Sequence, residues 1–326
     1  MPRIVERLLK IRPEEASFKA RGFDACDPTV SRKLEQMLES FIGGYNLAVE
    51  TQDKVELSRR LYAAFDNHHV GFAFEGVGLY LAMLDMLIPG KPYRLDSYFK
   101  GAGEHHDYIV AVGAGFAVAR IPWGLRAMES YLRTLDPLIA WCVPCGYGFH
   151  EGFFKHKRFI DAAGPLPASL SPLGRQLFDS GLGRSLWWVK GADPSRIRAA
   201  IDRFSEDRRA ELWAGIGIAA CYAGGVGVSE LQSLDELAGP YRADFLSGLP
   251  FAARLRQKAG NYSDTTELAC RTLLDRSTDK VADMAELAAD AVRAQVLGSG
   301  ITEAYALLRR HLVVQCQTIA KVETYV

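Results

Sequence analysis

Apolar side chains recur with the period of an α-helix along most of this chain. In residues 31–47 this spacing places Leu34, Met37, Leu38 and Phe41 on one face, with charged residues elsewhere, which is typical of a helix packed against a core. The same pattern predicts further helices at 54–65, 79–87, 125–138, 195–204, 207–222, 279–297 and 302–322. Pro89 and Gly90 are predicted to end one helix, Asp279 and Thr302 to cap two others, and Gly298 and Gly300 to separate the last two.

Strand signals are scarce. The short runs 108–112 and 186–189 are the best candidates. No alternation of strands and helices and no internal repeat of 20–50 residues is evident. We therefore expect a mainly α protein with a single large helical domain, 1–326, a central segment rich in glycine and aromatic residues, and at most a few short strands. The proline-rich stretch 164–172 is the best candidate for a boundary within it.

Composition narrows the classes of function. The 326 residues carry 39 basic and 39 acidic side chains, so a broad nucleic-acid-binding surface is not expected. We expect no transmembrane segment; the longest weakly polar stretch, 212–228, is interrupted by glycines. The N-terminus resembles a short amphipathic surface helix rather than a secretory signal. With six dispersed cysteines, these features favour a cytoplasmic protein with reduced thiols.

Two short motifs suggest known chemistry. Gly113 and Gly115 follow the run 108–112 like the start of a dinucleotide-binding fingerprint, but the next glycine position holds Val118. Close backbone packing is the alternative explanation, and no NAD or ATP motif is complete. Cys142 and Cys145 form a Cys-x-x-Cys pair, which either serves in redox or metal chemistry or consists of two small buried side chains near a turn.

Histidines and a glycine-rich helix offer other candidates. Six of the seven histidines fall within residues 68–156, and histidine serves as a metal ligand, as an acid or base, or as a hydrogen-bonded structural residue. No established metal-ligand spacing is present. In the helix 207–222, the glycines allow either close helix packing or one wall of an apolar pocket with Tyr222 as its polar tip.

An ordered series of motifs then resembles a known family. The segments are Arg21-Gly-Phe, Gly71-Phe-Ala-Phe-Glu-Gly with Asp85, His105-His-Asp-Tyr-Ile-Val-Ala-Val-Gly-Ala-Gly-Phe-Ala-Val-Ala-Arg-Ile-Pro, Gly146-Tyr-Gly-Phe-His-Glu-Gly-Phe-Phe, Gly181-Leu-Gly-Arg-Ser-Leu-Trp, and Arg208-Arg-Ala-Glu-Leu-Trp leading to Tyr222-Ala-Gly-Gly. Over residues 20–260 the chain resembles the bacterial UnbL-type family, the domain of unknown function numbered 1702. Its members are similar to products of enediyne polyketide clusters. The resemblance implies specialised metabolism, a long unsaturated apolar substrate, and partner proteins of the UnbV and UnbU types.

A polyene pocket agrees with this composition, because a ligand with few hydrogen-bonding groups must be bound by apolar and aromatic surface. The predicted catalytic residues are His150, His106, Glu75 and Asp85. The predicted substrate-binding residues are Arg120, Tyr147, Arg184, Trp187, Arg209, Trp213 and Tyr222. The candidate metal ligands are His105, His106 and His150, for iron or haem. The polar residues would equally serve as a buried ion-pair network that holds helices together.

Three hypotheses follow from the sequence. The chain is an enzyme, or the catalytic subunit of a complex, that performs redox or cyclisation chemistry on a polyene. Alternatively, it binds and shields the polyene while UnbV- and UnbU-type partners act on it. The third hypothesis is a Cys-x-x-Cys redox partner. A homodimer is compatible with each of them.

Overall fold

The computed structural model describes residues 9–24, 26–88, 93–133, 135–295 and 301–323, and these segments are helical with no strand among them. The expected mainly α single domain is thus confirmed. Long helices form a row in chain order. They are α1 (Pro28–Glu50), α2 (Val70–Leu87), α3 (Asp107–Arg120), α4 (Cys142–Phe154), α5 (Pro172–Val189), α6 (Glu206–Tyr222) and α7 (Arg242–Ala259).

Shorter elements connect these helices, and two long helices follow them. The connecting helices are Lys54–Ala64, Arg94–Phe99, Gly124–Leu132, Pro137–Ala140, Pro194–Ile201, Val228–Ala238 and Asp264–Leu274, and Phe18–Arg21 precedes the row. Single helical turns of other types lie at Pro13–Ala16, Glu104–His106, Lys157–Asp161 and Gly239–Tyr241. The last two helices are α8 (Thr278–Gln295) and α9 (Ile301–Glu323).

Glycines bring consecutive helices of the row into backbone contact. A Cβ atom on Gly78 of α2 would lie 2.0 Å from the carbonyl oxygen of Val110 on α3, and one on Gly113 of α3 would lie 1.9 Å from that of Glu75 on α2. The later residue of α2, Gly78, thus contacts the earlier residue of α3, Val110, and the reverse holds for Glu75 and Gly113. The two helices therefore run antiparallel where they cross. Only glycine permits such a close approach.

The same crossing recurs through the row. The glycines at these crossings are Gly44 on α1, Gly76 and Gly78 on α2, Gly113 and Gly115 on α3, Gly146 and Gly148 on α4, Gly181 and Gly183 on α5, Gly215 and Gly217 on α6, and Gly248 on α7. The crossings recur about every 34 residues, within the range of helical repeat proteins. Two residues that are two positions apart on a helix point in directions about 200° apart. Each Gly-x-Gly therefore presents one glycine to the preceding helix and one to the next.

The row is curved, because residues from distant members meet. Phe72 of α2 packs on Tyr222 of α6 with ring centroids 5.3 Å apart, and Tyr108 of α3 packs on Phe251 of α7 at 5.4 Å. The indole of Trp188 on α5 donates to the carbonyl of Leu34 on α1 at 3.3 Å. One face of each helix therefore points into a shared interior.

Several sequence-based predictions are wrong. The strand candidates 108–112 and 186–189 lie inside α3 and α5, where these apolar runs are surrounded by other helices. The repeat described above was missed. The predicted dinucleotide fingerprint has no strand before it: Gly113 and Gly115 are helix-crossing residues, as the packing alternative proposed.

Helix boundaries also differ. The predicted helix 125–138 is two helices, because Asp136 accepts from the backbone N–H of Leu138 at 2.8 Å and Pro137 begins the second one. Helix α2 begins at Val70, well before residue 79. Ser277 accepts from the N–H of Lys280 at the start of α8, whereas Asp279 lies within the helix and accepts from the Tyr262 hydroxyl.

The prediction that Thr302 caps the last helix is wrong, because Thr302 is the second residue of α9. The predicted stops at Pro89, Gly90, Gly298 and Gly300 lie outside the described residues.

Helix α2 is long and apolar enough to cross a membrane, with a mean hydropathy of 1.5. The weakly polar stretch 212–228 is not a candidate of this kind among the described residues. However, 78% of the α2 window is buried inside the protein, as expected for the central helix of a folded core. Its neighbours α1 and α3 cover it from both sides through Gly76 and Gly78.

Candidate functional site

A cavity of about 300 Å³ lies where the segment before α1 covers the curved row. This size is at the lower end for small-ligand sites. Its apolar walls are Ile11, Ala16, Met37, Leu38, Phe41, Ile42, Phe72, Phe116, Phe149, Phe153, Phe154 and Trp188. The charged residues along it are Lys10, Arg12, Glu15, Arg21, Glu75 and Arg120.

Register within the repeat explains which side chains reach this interior. The residue before the first glycine of each Gly-x-Gly and the residue four positions later share one helix face. On α3 and α4 the later positions are Phe116 and Phe149, whose rings are 5.4 Å apart. On α2 the earlier position is Glu75, and on α5 the later position is Arg184. The row thus carries two charged side chains at positions that are apolar in neighbouring repeats.

Glu75 is the buried carboxyl of the cavity. Its side chain is 2% exposed, and its Oε1 atom has no hydrogen-bond partner among the described residues. Burial raises the pKa of this carboxyl to about 7, although the nearby guanidinium of Arg184 opposes the rise. An acid with a pKa near neutrality both gives and accepts a proton readily.

Arg184 is fully buried beside the same interior. Its guanidinium lies 5.0 Å from the centre of the Phe149 ring and 3.9 Å from the Cys145 sulfur. Among the described residues no carboxylate lies within ion-pair distance of it, so Glu75 and Arg184 influence each other without forming a salt bridge. The predicted ion-pair network is therefore absent at these two residues in the described structure.

Two other arginines stand at the mouth of the cavity. The guanidinium carbons of Arg21 and Arg120 lie 4.9 Å and 5.3 Å from the centre of the Phe154 ring. Arg21 forms an ion pair with Glu15 and donates to its backbone carbonyl at 2.8 Å. Burial, followed by the like charge of Arg120, lowers the pKa of Arg21. Arg120 is exposed at the rim, and no carboxylate in the described part of the chain pairs with it.

His150 lies one layer behind the cavity wall. Its ring packs against Phe154 at 4.5 Å and against Phe116 at 5.4 Å, and its Nδ1 atom lies 3.3 Å from the Glu151 carboxylate. Burial lowers its pKa. The imidazole is thus near the site but is separated from the cavity by rings.

His106 and Asp85 lie elsewhere. His106 stacks on Phe74 at 3.8 Å, and its Nε2 atom lies 2.9 Å from the Tyr62 hydroxyl. It precedes α3, whereas Phe116 near His150 is about 15 Å further along that helix. Asp85 accepts from the backbone N–H groups of Arg94 and Leu95 at 2.8 Å and 3.0 Å, so it holds the start of the next helix. The structure does not bring His106, His150 and Asp85 together.

The remaining predicted binding residues do not line the cavity. Trp187 donates to the Gly224 carbonyl at 2.9 Å, and Trp213 packs edge-on against Phe245. Arg209 donates to the carbonyls of Phe204 and Asp202, both at 2.9 Å, and so ties down the turn before α6.

Two predicted tyrosines belong to the core. Tyr147 packs on Phe178, and burial raises its pKa to about 12. Tyr222 packs on Phe72, a cavity residue, and carries the Arg256 guanidinium 4.0 Å above its ring.

The histidines proposed as metal ligands do not fit an iron site. His105 is exposed and lies 3.5 Å from Glu104, and the Nε2 atom of His106 contacts Tyr62. Within the described ranges no three histidine, cysteine, aspartate or glutamate side chains come together to hold a metal ion. No step is therefore assigned to a metal.

The Cys-x-x-Cys pair lies in the first turn of α4. Both side chains are buried, and burial raises the pKa values of Cys142 and Cys145. A thiol held in its neutral form is a poor nucleophile and a poor metal ligand. The geometry therefore favours the structural explanation of this pair.

This assignment predicts slow reaction of the pair with a thiol reagent. In the folded protein Cys26, which is only partly buried, should react with Ellman's reagent first, and Cys142 and Cys145 only on unfolding. Mass spectrometry of the labelled peptides reports the order. Rapid native labelling of Cys142 or Cys145 would restore the redox hypothesis.

Comparison with known proteins identifies a family. The model of the family described as protein of unknown function DUF1702 matches residues 1–316. The chain belongs to the DUF1702 family. No curated protein and no solved structure matches it.

Arg21 lines the cavity but was not among the predicted site residues. The motif Arg21-Gly-Phe was noted, but its position over Phe154 depends on how the segment before α1 folds back. Glu75, Arg120 and Arg184 were identified. A stronger signal was available for two of them: alignment of the Gly-x-Gly repeats shows Glu75 and Arg184 as charged residues at interior positions.

Proposed function

We propose that this DUF1702 protein binds a long, apolar, polyene-like substrate in the cavity and acts on it as a biosynthetic enzyme of an enediyne-type polyketide pathway. The observation that carries the proposal is Glu75, a carboxyl with an unpartnered oxygen in an aromatic cavity. The pathway itself rests on the resemblance to UnbL-type proteins.

The cavity walls suit such a ligand. Phe72, Phe116 and Phe149 line the cavity, and their side chains carry no hydrogen-bonding groups. A conjugated chain is flat and apolar, so it gains affinity from burial and from stacking on such rings. A cavity of about 300 Å³ would enclose one part of a long chain while the rest crosses the mouth.

Glu75 suits proton transfer. Its protonated form can give a proton to one carbon of a conjugated chain, and its carboxylate can take a proton from another carbon, so that double bonds shift or a ring closes. The exchange returns Glu75 to its starting state and needs no oxidant or reductant. We therefore favour an isomerisation or cyclisation over the redox alternative.

A second function is favoured by a separate observation. Glu75 is the buried titratable group on the described cavity wall, and neither His106 nor His150 joins it there. An aromatic cavity with a neutral carboxyl could bind and shield a polyene while UnbV- and UnbU-type partners perform the chemistry. The two functions differ in whether Glu75 is needed for turnover or only the cavity is needed for binding.

Binding is tested with parinaric acid, a conjugated tetraene fatty acid whose fluorescence rises in apolar surroundings. We expect saturable binding that weakens about tenfold in Phe41→Ala, because Phe41 is half-buried on the cavity wall and packs 5.2 Å from Phe116. Tyr262→Ala, at an exposed aromatic residue that does not line the cavity, serves as the control. Absence of binding, or equal binding by Phe41→Ala and the wild type, would contradict the proposal.

Catalysis is tested in the native gene cluster. A deletion strain is complemented with the wild type, with Glu75→Gln or with Glu129→Gln, an exposed control. If the protein is an enzyme, the Glu75→Gln strain accumulates the same compound as the deletion, while the control restores the product. Restoration by Glu75→Gln would support the shielding function instead.

A further inference from the structure

The mouth of the cavity has more cations than anions. Lys10, Arg12, Arg21 and Arg120 lie along it, whereas Glu15 is the carboxylate at the rim. Glu15 pairs with Arg21 and lies 3.7 Å from Arg12, and Lys10 pairs with Glu50, which also contacts Arg60. Arg120 is left without a carboxylate among the described residues. The rim therefore carries a net positive charge.

Both arginines contact the same aromatic ring. Arg21 and Arg120 both pack on Phe154, which itself lies on the cavity wall. Two guanidinium groups held at one ring repel each other, and a shared anion would relieve that repulsion. Planar guanidinium groups bind carboxylate and phosphate oxygens through pairs of charge-assisted hydrogen bonds.

We propose that Arg120 and Arg21 form a head-group site for an anionic acyl substrate, whose oxygens they bind at the mouth while the apolar chain enters the cavity tail first. The inference rests on the proposed function and specifies its substrate class. The shared chemistry is an anionic oxygen group at the end of an acyl chain. It is supplied either by a free carboxylate or by the phosphate of a phosphopantetheine carrier arm.

The position of this site relative to Glu75 determines where the chain would react. The backbone of Glu75 lies against Gly113 of α3, and Arg120 is about 10 Å further along the same helix. A free acid held by its carboxylate at Arg120 therefore presents internal carbons, rather than its acyl carbon, to Glu75, whereas a carrier arm bound by its phosphate would place atoms of the arm itself there. For the free acid, proton transfer within the chain, not hydrolysis of its acyl end, follows from this spacing.

The test compares parinaric acid with its uncharged methyl ester. Arg120→Gln should weaken binding of the acid about tenfold or more and leave binding of the ester unchanged, because only the acid loses a charge-assisted contact. Arg120→Lys keeps the charge but loses the planar group, so its affinity for the acid should lie between those of the wild type and Arg120→Gln. Arg203→Gln, at an exposed turn outside the cavity, should match the wild type for both probes.

The outcomes separate this inference from the proposed function. If acid and ester bind equally well to the wild type and to Arg120→Gln, the polyene site stands and the head-group site is wrong. Equal weakening of both probes would show a structural effect of the substitution and would also overturn it. If neither probe binds, the proposed function itself fails.

A competition experiment distinguishes the two sources of the anion. Dodecanoic acid and dodecanoyl-phosphopantetheine are compared as competitors of parinaric acid, with the wild type and with Arg120→Gln. The natural source is the competitor whose affinity depends more strongly on Arg120. If the substitution changes the affinity of neither competitor, the head-group site is excluded.

Discussion

Glu75→Gln should make the protein more stable above pH 7 and leave its stability unchanged at pH 4. The pKa of Glu75 is about 7 in the folded protein and near its ordinary value of 4.5 in the unfolded chain. Between these values the folded state retains a proton that the unfolded state has lost, so stability falls as the pH rises through this window. The full difference, about 3 kcal/mol above pH 7, is a cost that glutamine does not have.

Urea unfolding at pH 4, 6 and 8 measures this effect. The stability gained by Glu75→Gln should be near zero at the lowest pH and largest at the highest. Glu129→Gln, which neutralises an exposed carboxylate, should show no such trend. A variant that is less stable than the wild type at pH 8 would mean that Glu75 has a partner that stabilises its charged form.

A residue that lowers the stability of the folded protein needs an explanation other than folding. Natural proteins commonly tolerate destabilising groups where function requires them. Glu75 combines this cost with a place on the cavity wall and an unpartnered oxygen. If Glu75 is a catalytic carboxyl, we therefore expect Glu75→Gln to be more stable than the wild type above pH 7 and to lose turnover.

Much of the fold follows from local sequence. Helices α1, α8 and α9 carry clear apolar stripes, and each was predicted within a few residues. Their helical nature comes from side-chain spacing, which a single sequence displays directly. Asp136 shows the limit of this signal, since one capping side chain splits a continuous pattern into two helices.

The central helices were not predictable in the same way. Helices α3, α4 and α5 are buried on nearly all sides, so no polar face remains to reveal a period. Their glycines make a helix a less favoured prediction from the local sequence, since glycine destabilises an isolated helix. The reason for those glycines lies in contacts with neighbouring helices. Comparison of the segments with one another, rather than with propensities, would have revealed the repeat.

The site was predictable in its residue types but not in its assembly. Glu75, Arg120 and Arg184 were identified because charged residues stood among aromatics. His106 was grouped with His150 because both lie in the histidine-rich part of the sequence, yet α3 separates them along its length. Which side chains share a cavity depends on the antiparallel crossing of helices and the curvature of the row, which short motifs do not encode.

Gly217→Ala should strongly destabilise the protein. In a free helix this change would stabilise by about 1 kcal/mol, since alanine is the better helix former. At the α6–α7 crossing, however, the new Cβ atom would lie 1.9 Å from the carbonyl oxygen of Phe245. The carbonyl oxygen belongs to the backbone of α7 and the Cβ position is fixed by the backbone of α6, so neither atom can turn away and the helices must separate. We expect a loss of more than about 3 kcal/mol in the free energy of unfolding.

Gly101→Ala provides the control, because a Cβ atom there would meet only the carbonyl of Ser97 at an ordinary 3.6 Å. Urea unfolding should show a change within about 0.5 kcal/mol for this variant. Since Gly217 is remote from the cavity wall, parinaric acid should still bind any Gly217→Ala protein that remains folded. A neutral or stabilising Gly217→Ala would mean that the helices do not cross through glycine backbones. The assignment of Glu75 and Arg184 to interior positions would then also be wrong, because it follows from those crossings.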